Sequence, residues 1–219
     1  MLIGAYGILR TSRVQTWLAG KATSYLSGEL GTTVRIGGLD ISWFLDIVLE
    51  DVMVKDKSGR NILNASRIRF DLGKFNRKDR FIGVYSVSLK NAELNIIRNS
   101  TDSLMNYNFI VEYFAGTDTT VRVSESKPWK IGISGISLKD SRFVYRNELK
   151  RMSDKGVDYD YISVSNLNLD IRKLLIAGDS ITANISGLSF REKSGFVLNN
   201  LETAVKVKPE QISTRGLHI

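Results

Sequence analysis

The chain has 219 residues, 42% of them hydrophobic and 25% charged, which suits one large β domain or two small domains and excludes a disordered polyelectrolyte. It has no cysteine, so disulfides and thiolate metal sites are excluded, and its single histidine, His218, leaves no material for His-based triads or His-ligated metals. A net charge of +8 and a pI near 9.6 admit nucleic acid or an anionic membrane surface as partners without choosing between them.

The first residues, MLIGAYGIL, are apolar and uncharged before Arg10 but far too short to span a bilayer, which takes about 20 residues. They lack the charged n-region and small-residue cleavage site of a signal peptide. They read either as an apolar leader or as the last turns of a membrane helix that begins upstream. The strand-like end, STRGLHI, adds to the expectation of a fragment of a longer protein.

From Thr11 or Ser12, each a possible N-cap, the sequence turns amphipathic. Val14, Trp17, Leu18, Ala22, Tyr25 and Leu26 recur near helical spacing, and Gly31 is a natural stop. This predicts a helix that packs its apolar stripe against the rest of the domain, with a membrane-surface role as the alternative.

After Gly31 the period changes to two. RIRFDL alternates Ile68, Phe70 and Leu72 with Arg67, Arg69 and Asp71, and VKVK alternates Val205 and Val207 with Lys206 and Lys208. Residues 129–133, 167–171 and 181–185 behave alike. Turn-like clusters at 55–61, 74–80 and 98–103 punctuate these runs, and residues 104–115 fit a helix or a strand. The expectation for residues 1–31 is the end of a membrane anchor followed by an amphipathic helix. A mainly β domain over 32–219 follows, built as a long antiparallel meander.

Several runs break their own alternation. Around Leu138, Ile136 has one parity while Phe143 and Tyr145 have the other, with Asp140 between them. Leu89 repeats the pattern with Val87, Asn91, Leu94 and Ile96, and Val164 with Ile162, Asn166, Leu169 and Ile171. Leu49 with Asp51 and Leu198 with Asn200 give partial copies, and the uneven spacing excludes a fixed-period solenoid. An Asx at a parity change suits a β-bulge or a tight turn. The bulge is favoured because apolar residues resume at once, so that Asp51, Asn91, Asp140 and Asn166 bend long strands that keep one apolar face. The chain offers little to cover that face. The expected fold is a curved β-sheet with an open hydrophobic groove, and the alternative is a sandwich of two sheets.

Residues 14–70, VQTWLAGKATSYLSGELGTTVRIGGLDISWFLDIVLEDVMVKDKSGRNILNASRIRF, resemble the beginning of TamB-type proteins within the wider AsmA-like group. The pattern is carried by Leu26, Ser27, Leu30, Gly31, Val34, Ile36, Gly37, Ile41, Phe44, Leu49, Val52, Val54, Asp56, Gly59, Leu63, Ala65 and Ile68. Residues 185–201 look like a later segment of the same region. The resemblance implies a cell-envelope location, with an inner-membrane anchor, a periplasmic body and a β-groove for phospholipid acyl chains. It also implies an outer-membrane barrel-assembly partner, reached through regions beyond this chain.

Groove walls need apolar side chains and no specific chemistry, each buried methylene contributing about 0.8 kcal/mol. The expected lining is Ile68, Phe70, Leu72, Val87, Leu89, Leu94, Ile96, Ile136, Leu138, Phe143, Tyr145, Leu169, Ile171, Ile181, Ile185 and Phe190, each of which would serve equally well as ordinary core. No cofactor and no enzymatic activity are expected. Asp154, Asp158 and Asp160 lack the spacing of a calcium loop, and the KSG at 57–59 and 193–195 lacks the lead-in of a phosphate loop. A nucleic-acid-binding β domain is the less favoured alternative, because Arg and Lys mostly alternate with the aromatics and so fall on the opposite face.

Overall fold

The computed structural model describes residues 12–42, 46–115, 130–153 and 156–219. The apolar leader, Phe44 and Asp154 lie outside the described residues. Helix α1 (Ser12–Leu30) is followed by β1 (Val34–Arg35), β2 (Gly38–Ile41), β3 (Asp46–Lys55), β4 (Asn61–Asn76) and β5 (Phe81–Arg98). After α2 (Asn108–Ala115) come β6 (Lys130–Asn147), β7 (Tyr161–Ala177), β8 (Ser180–Glu192), β9 (Val197–Leu198), β10 (Glu202–Lys208) and β11 (Gln211–His218).

The strands form one curved, open sheet in the order β1-β3-β4-β5-β6-β7-β8-β10-β11, with β2 also on β3 and β9 also on β8. No second sheet packs on it among the described residues. Strands β5 and β6 have 18 residues each, about 60 Å at the usual rise, far beyond the customary five or six.

One pairing departs from the expected antiparallel meander. Strands β5 and β6 are parallel, with Leu89 opposite Leu138 and Leu94 opposite Phe143. A parallel neighbour requires a crossover, and the segment containing α2 provides it. Beyond the start of β4, this segment also serves the exposed edge of β5. Asn106, buried, donates its amide to Asn95 O at 3.0 Å, accepts from Ile97 N at 3.0 Å and gives its own N–H to Ile97 O at 2.8 Å. One asparagine thus takes the place of a missing strand.

Helix α1 covers the β1–β2 edge. Ile36 N donates to Thr23 Oγ1 at 3.0 Å, Val34 N to Ser27 Oγ at 3.1 Å, and Gln15 Nε2 to Asp40 Oδ1 at 2.8 Å. The helix ends as its sequence asks. Gly31 takes φ +58°, Thr32 N reaches back to Ser27 O at 3.2 Å, and the Lys57 ammonium donates to Leu30 O at 2.5 Å and Gly31 O at 3.2 Å. The buried stripe differs from the expected one. Ala19, 2% exposed, faces the domain with Leu18, Ala22 and Leu26, whereas Trp17 and Tyr25 are 59% and 61% exposed. The polar contacts of Thr23 and Ser27 with the edge strand turn the helix so that both aromatics point outward.

Candidate functional site

Directly opposed residues in neighbouring strands share a face, so the registers can be followed across the sheet. One row runs Ile47, Phe70, Val87, Ile136, Ile171 and Ile185. The next runs Leu49, Ile68, Leu89, Leu138, Leu169 and Leu188. Further along the strands come Val54, Leu63, Leu94, Phe143 and Val164, then Ile96, Tyr145 and Ile162. In the other direction lie Leu72, Val84, Ile133 and Leu174, then Phe75, Ile82, Ile131, Ile176, Ile181 and Val207. All six rows cross the strands and lie on one face.

That face holds every lining residue named from the sequence. Phe190 follows Leu188 by two and packs its ring against Phe196 at 6.1 Å. Among the described residues a tight cluster forms from Val52, Ala65, Ile68 and Ala92, flanked by Leu49, Val54, Leu63, Phe70 and Leu89. Elsewhere Val164 is buried, Leu72, Phe75 and Ile181 are exposed, and the other row members are half-buried. Among the described residues no large side chain is buried completely.

The rows stay on one face because the strands change parity together. Asp51, Asn91, Asp140 and Asn166 each sit inside one continuous strand at φ +50°, +49°, +51° and +51°. Each adds one residue to the polar side, so Leu49 and Val52, or Leu89 and Ala92, both reach the apolar side. Neighbouring strands break at one level, and the registers on either side of it agree. Strand β4 makes the same change between Ala65 and Ile68 without an Asx, where Ser66 Oγ donates to Lys90 O at 2.9 Å. Polar side chains satisfy the amides that the ladder skips: Ala92 N donates to Ser141 Oγ at 3.2 Å and Asp140 N to Asn168 Oδ1 at 3.2 Å. At the flanks the interruptions become gaps between short strands, between β1 and β2 beside Asp51 and between β9 and β10 near Gly187. The partial copy around Leu198 and Asn200 falls in that second gap.

A second line of breaks crosses β4 to β7, and sequence reading missed it. Leu72 gives way to Phe75, Val84 to Val87, Ile133 to Ile136, and Ile171 to Leu174, with Lys173 at φ +54°. The parity signal was present, but no Asx marks it.

The opposite face is polar. Arg67 pairs with Glu50 at 2.7 Å, Arg69 Nε with Asp46 at 2.8 Å, and Lys139 with Asp170 at 2.9 Å. The Lys139 hydrogen bond holds the Asp170 carboxyl below the ordinary carboxylate range.

One end of the sheet is finished by acid-centred turns. Asp56 Oδ1 accepts from Ser58 N and Arg60 N, and Glu192 from Ser194 N and Ser163 N. Gly59 and Gly195 close the two turns in the same way, with φ +80° and +97°. The two KSG stretches are therefore matching strand-end turns. Asp158 likewise accepts from Ser153 N and Asp160 N, and Asp160 from Asn147 Nδ2. Arg60 ties the turns together through Asp56, Glu148 at 3.1 Å and Asn99. Burial works against the Arg60 charge, but Asp56 and Glu148 outweigh it and raise its pKa. Among the described residues no group of three or more His, Asp or Glu is placed to hold a metal ion. No described helix is long and apolar enough to cross a membrane.

Compared with known proteins, the chain matches no protein-family model, and no curated protein matches it.

Proposed function

We propose that the chain is a non-enzymatic segment of a lipid conduit, whose apolar face carries phospholipid acyl chains across the strands. The observation that carries this reading is the set of six continuous apolar rows with no layer over them among the described residues.

The direction of the rows suits an acyl chain. The longest rows cross six strands, a path of about 24 Å at about 4.8 Å spacing, against about 15 Å for one leaflet of a bilayer core. Within those six strands the rows offer apolar side chains without a polar step. Each break line adds residues to the polar side only, and extra length on one side of a sheet favours curvature toward the other, which is what an apolar trough requires. The same arrangement is what the resemblance to TamB-type proteins implies. The envelope location, the inner-membrane anchor and the outer-membrane barrel-assembly partner belong to this proposal.

The test is purification of the chain without detergent, followed by extraction and mass spectrometry. Phospholipid should co-purify, and the Leu89→Ser/Leu138→Ser variant should hold several-fold less while keeping its β circular-dichroism signal. Lipid-free protein, or a variant with undiminished lipid, would sink the proposal.

A further inference from the structure

The polar face is not uniform. Over β3, β4 and the middle of β6 and β7 its charges are paired, as described above. Toward β8, β10 and β11 the pairing stops. Opposed Thr182 and Lys206, and Asn184, Ala204 and Arg215, carry the polar face onward, and Lys173 adjoins them. Among the described residues no acid lies within ion-pair distance of Lys173, Lys206 or Arg215. These three cations line a depression of about 500 Å³.

Beside it, sharing Lys173 and Thr182, lies a larger hollow of about 780 Å³ on the second line of breaks. Its floor is apolar. Gly83 and Gly132 are paired, and a Cβ would come within 3.0 Å of the Phe81 ring at the first and 2.9 Å at the second. The ring therefore lies across both strands, on space that only glycine leaves. Tyr85 and Leu175 stand exposed at the walls. Lys74 and Arg172 complete the rim, and the acid that acts on Arg172, Asp170, is already engaged by Lys139.

We propose that this part of the polar face docks onto a bilayer surface containing acidic phospholipid. The unpaired cations meet headgroup phosphates, and the glycine-floored hollow receives the apolar region just beneath them. Charge complementarity selects the acidic lipid. An apolar floor inside a cationic rim matches an amphiphile better than a polynucleotide, which needs several aromatic faces free for stacking. Here Phe81 already lies on the glycines and Tyr85 alone is open. The inference does not rest on the lipid-conduit reading, because it uses the opposite face.

The test is co-sedimentation of the full chain with vesicles of phosphatidylcholine, alone or mixed with phosphatidylglycerol. Binding is expected to the mixed vesicles only, and to weaken as salt rises. Removing one cation costs about fivefold in partitioning, so Lys173→Gln/Lys206→Gln/Arg215→Gln should lose about two orders of magnitude with unchanged circular dichroism. Tyr85→Ser should lose several-fold while keeping the salt dependence. Equal binding to neutral vesicles, undiminished binding of the triple variant, or tighter binding of a single-stranded oligonucleotide than of the mixed vesicles would each overturn the proposal. Co-purifying lipid in a chain that ignores mixed vesicles would refute this inference while leaving the conduit intact.

Discussion

A side chain in the left-handed region costs roughly 1–2 kcal/mol per residue, least for Asn and Asp, whose short polar groups bond locally. Asp51, Asn91, Asp140 and Asn166 occupy that region, all exposed and all at the level where the strands change parity. The chemistry of one residue thus decides which face the next ones meet. Asp140→Gly should leave stability nearly unchanged, because glycine takes φ +51° without strain. Asp140→Val, which cannot, should lose about 2 kcal/mol in urea denaturation. Equal losses for the two variants would show that the aspartate side chain matters and not the backbone angle. The Asx breaks were legible because parity is a local property of sequence. The break in β4 was not, since Ser66 marks it with a hydroxyl to Lys90 O on another strand.

Among elements, α1 shows how a helix is placed by its ends and its polar contacts as much as by its stripe. The Lys57 ammonium lies on the last carbonyls of α1, where a cation favours the helix dipole, and its Nζ also sits 5.0 Å from the centre of the Phe109 ring on α2. A second tie joins the helices, where hydrogen bonding with Tyr25, burial and the charge of Glu29 push the Tyr113 phenol up to about 12. Lys57→Met keeps the aliphatic stem and removes the charge. It should lower stability by about 0.5–1 kcal/mol, with a difference from wild type that shrinks at high salt. Thermal unfolding at low and high salt checks both, and a salt-independent loss would point to packing instead. The span of α1 could be read from spacing and Gly31, whereas the outward turn of Trp17 and Tyr25 could not. It follows from hydrogen bonds to Val34 and Ile36, on the edge strand that the helix covers.

At the scale of the molecule, the sheet is a single layer whose strand-end turns are held by ionised acids. Asp158 is kept below the ordinary carboxylate range by the backbone N–H groups of Ser153, Asp160 and Tyr161. For Glu192 burial opposes the charge, but hydrogen bonds from Ser194 and the N–H groups of Ser163 and Lys193 prevail, and its pKa is also lowered. Both groups bind protons more weakly folded than unfolded. Their contribution is present above the unfolded value of about 4, and it is lost as pH falls through the folded values below it. Urea midpoints should therefore drop steeply below about pH 4, and Asp158→Asn/Glu192→Gln should start lower at neutral pH and show a flatter acid limb. An unchanged slope in the variant would assign acid sensitivity to other carboxylates.

The sequence by itself determined the helix, the alternating strands, the apolar residues of one face and the Asx-marked breaks. All of these are set by the spacing of residues close together in the chain. Only the tertiary structure decided that β5 and β6 run parallel and that breaks in successive strands fall on common lines. It also decided that Lys173, Lys206 and Arg215 gather, with no acid among the described residues at ion-pair distance, on the far side of the apolar rows. Those features depend on register between distant segments, and alternation within a strand is blind to which neighbour it will meet.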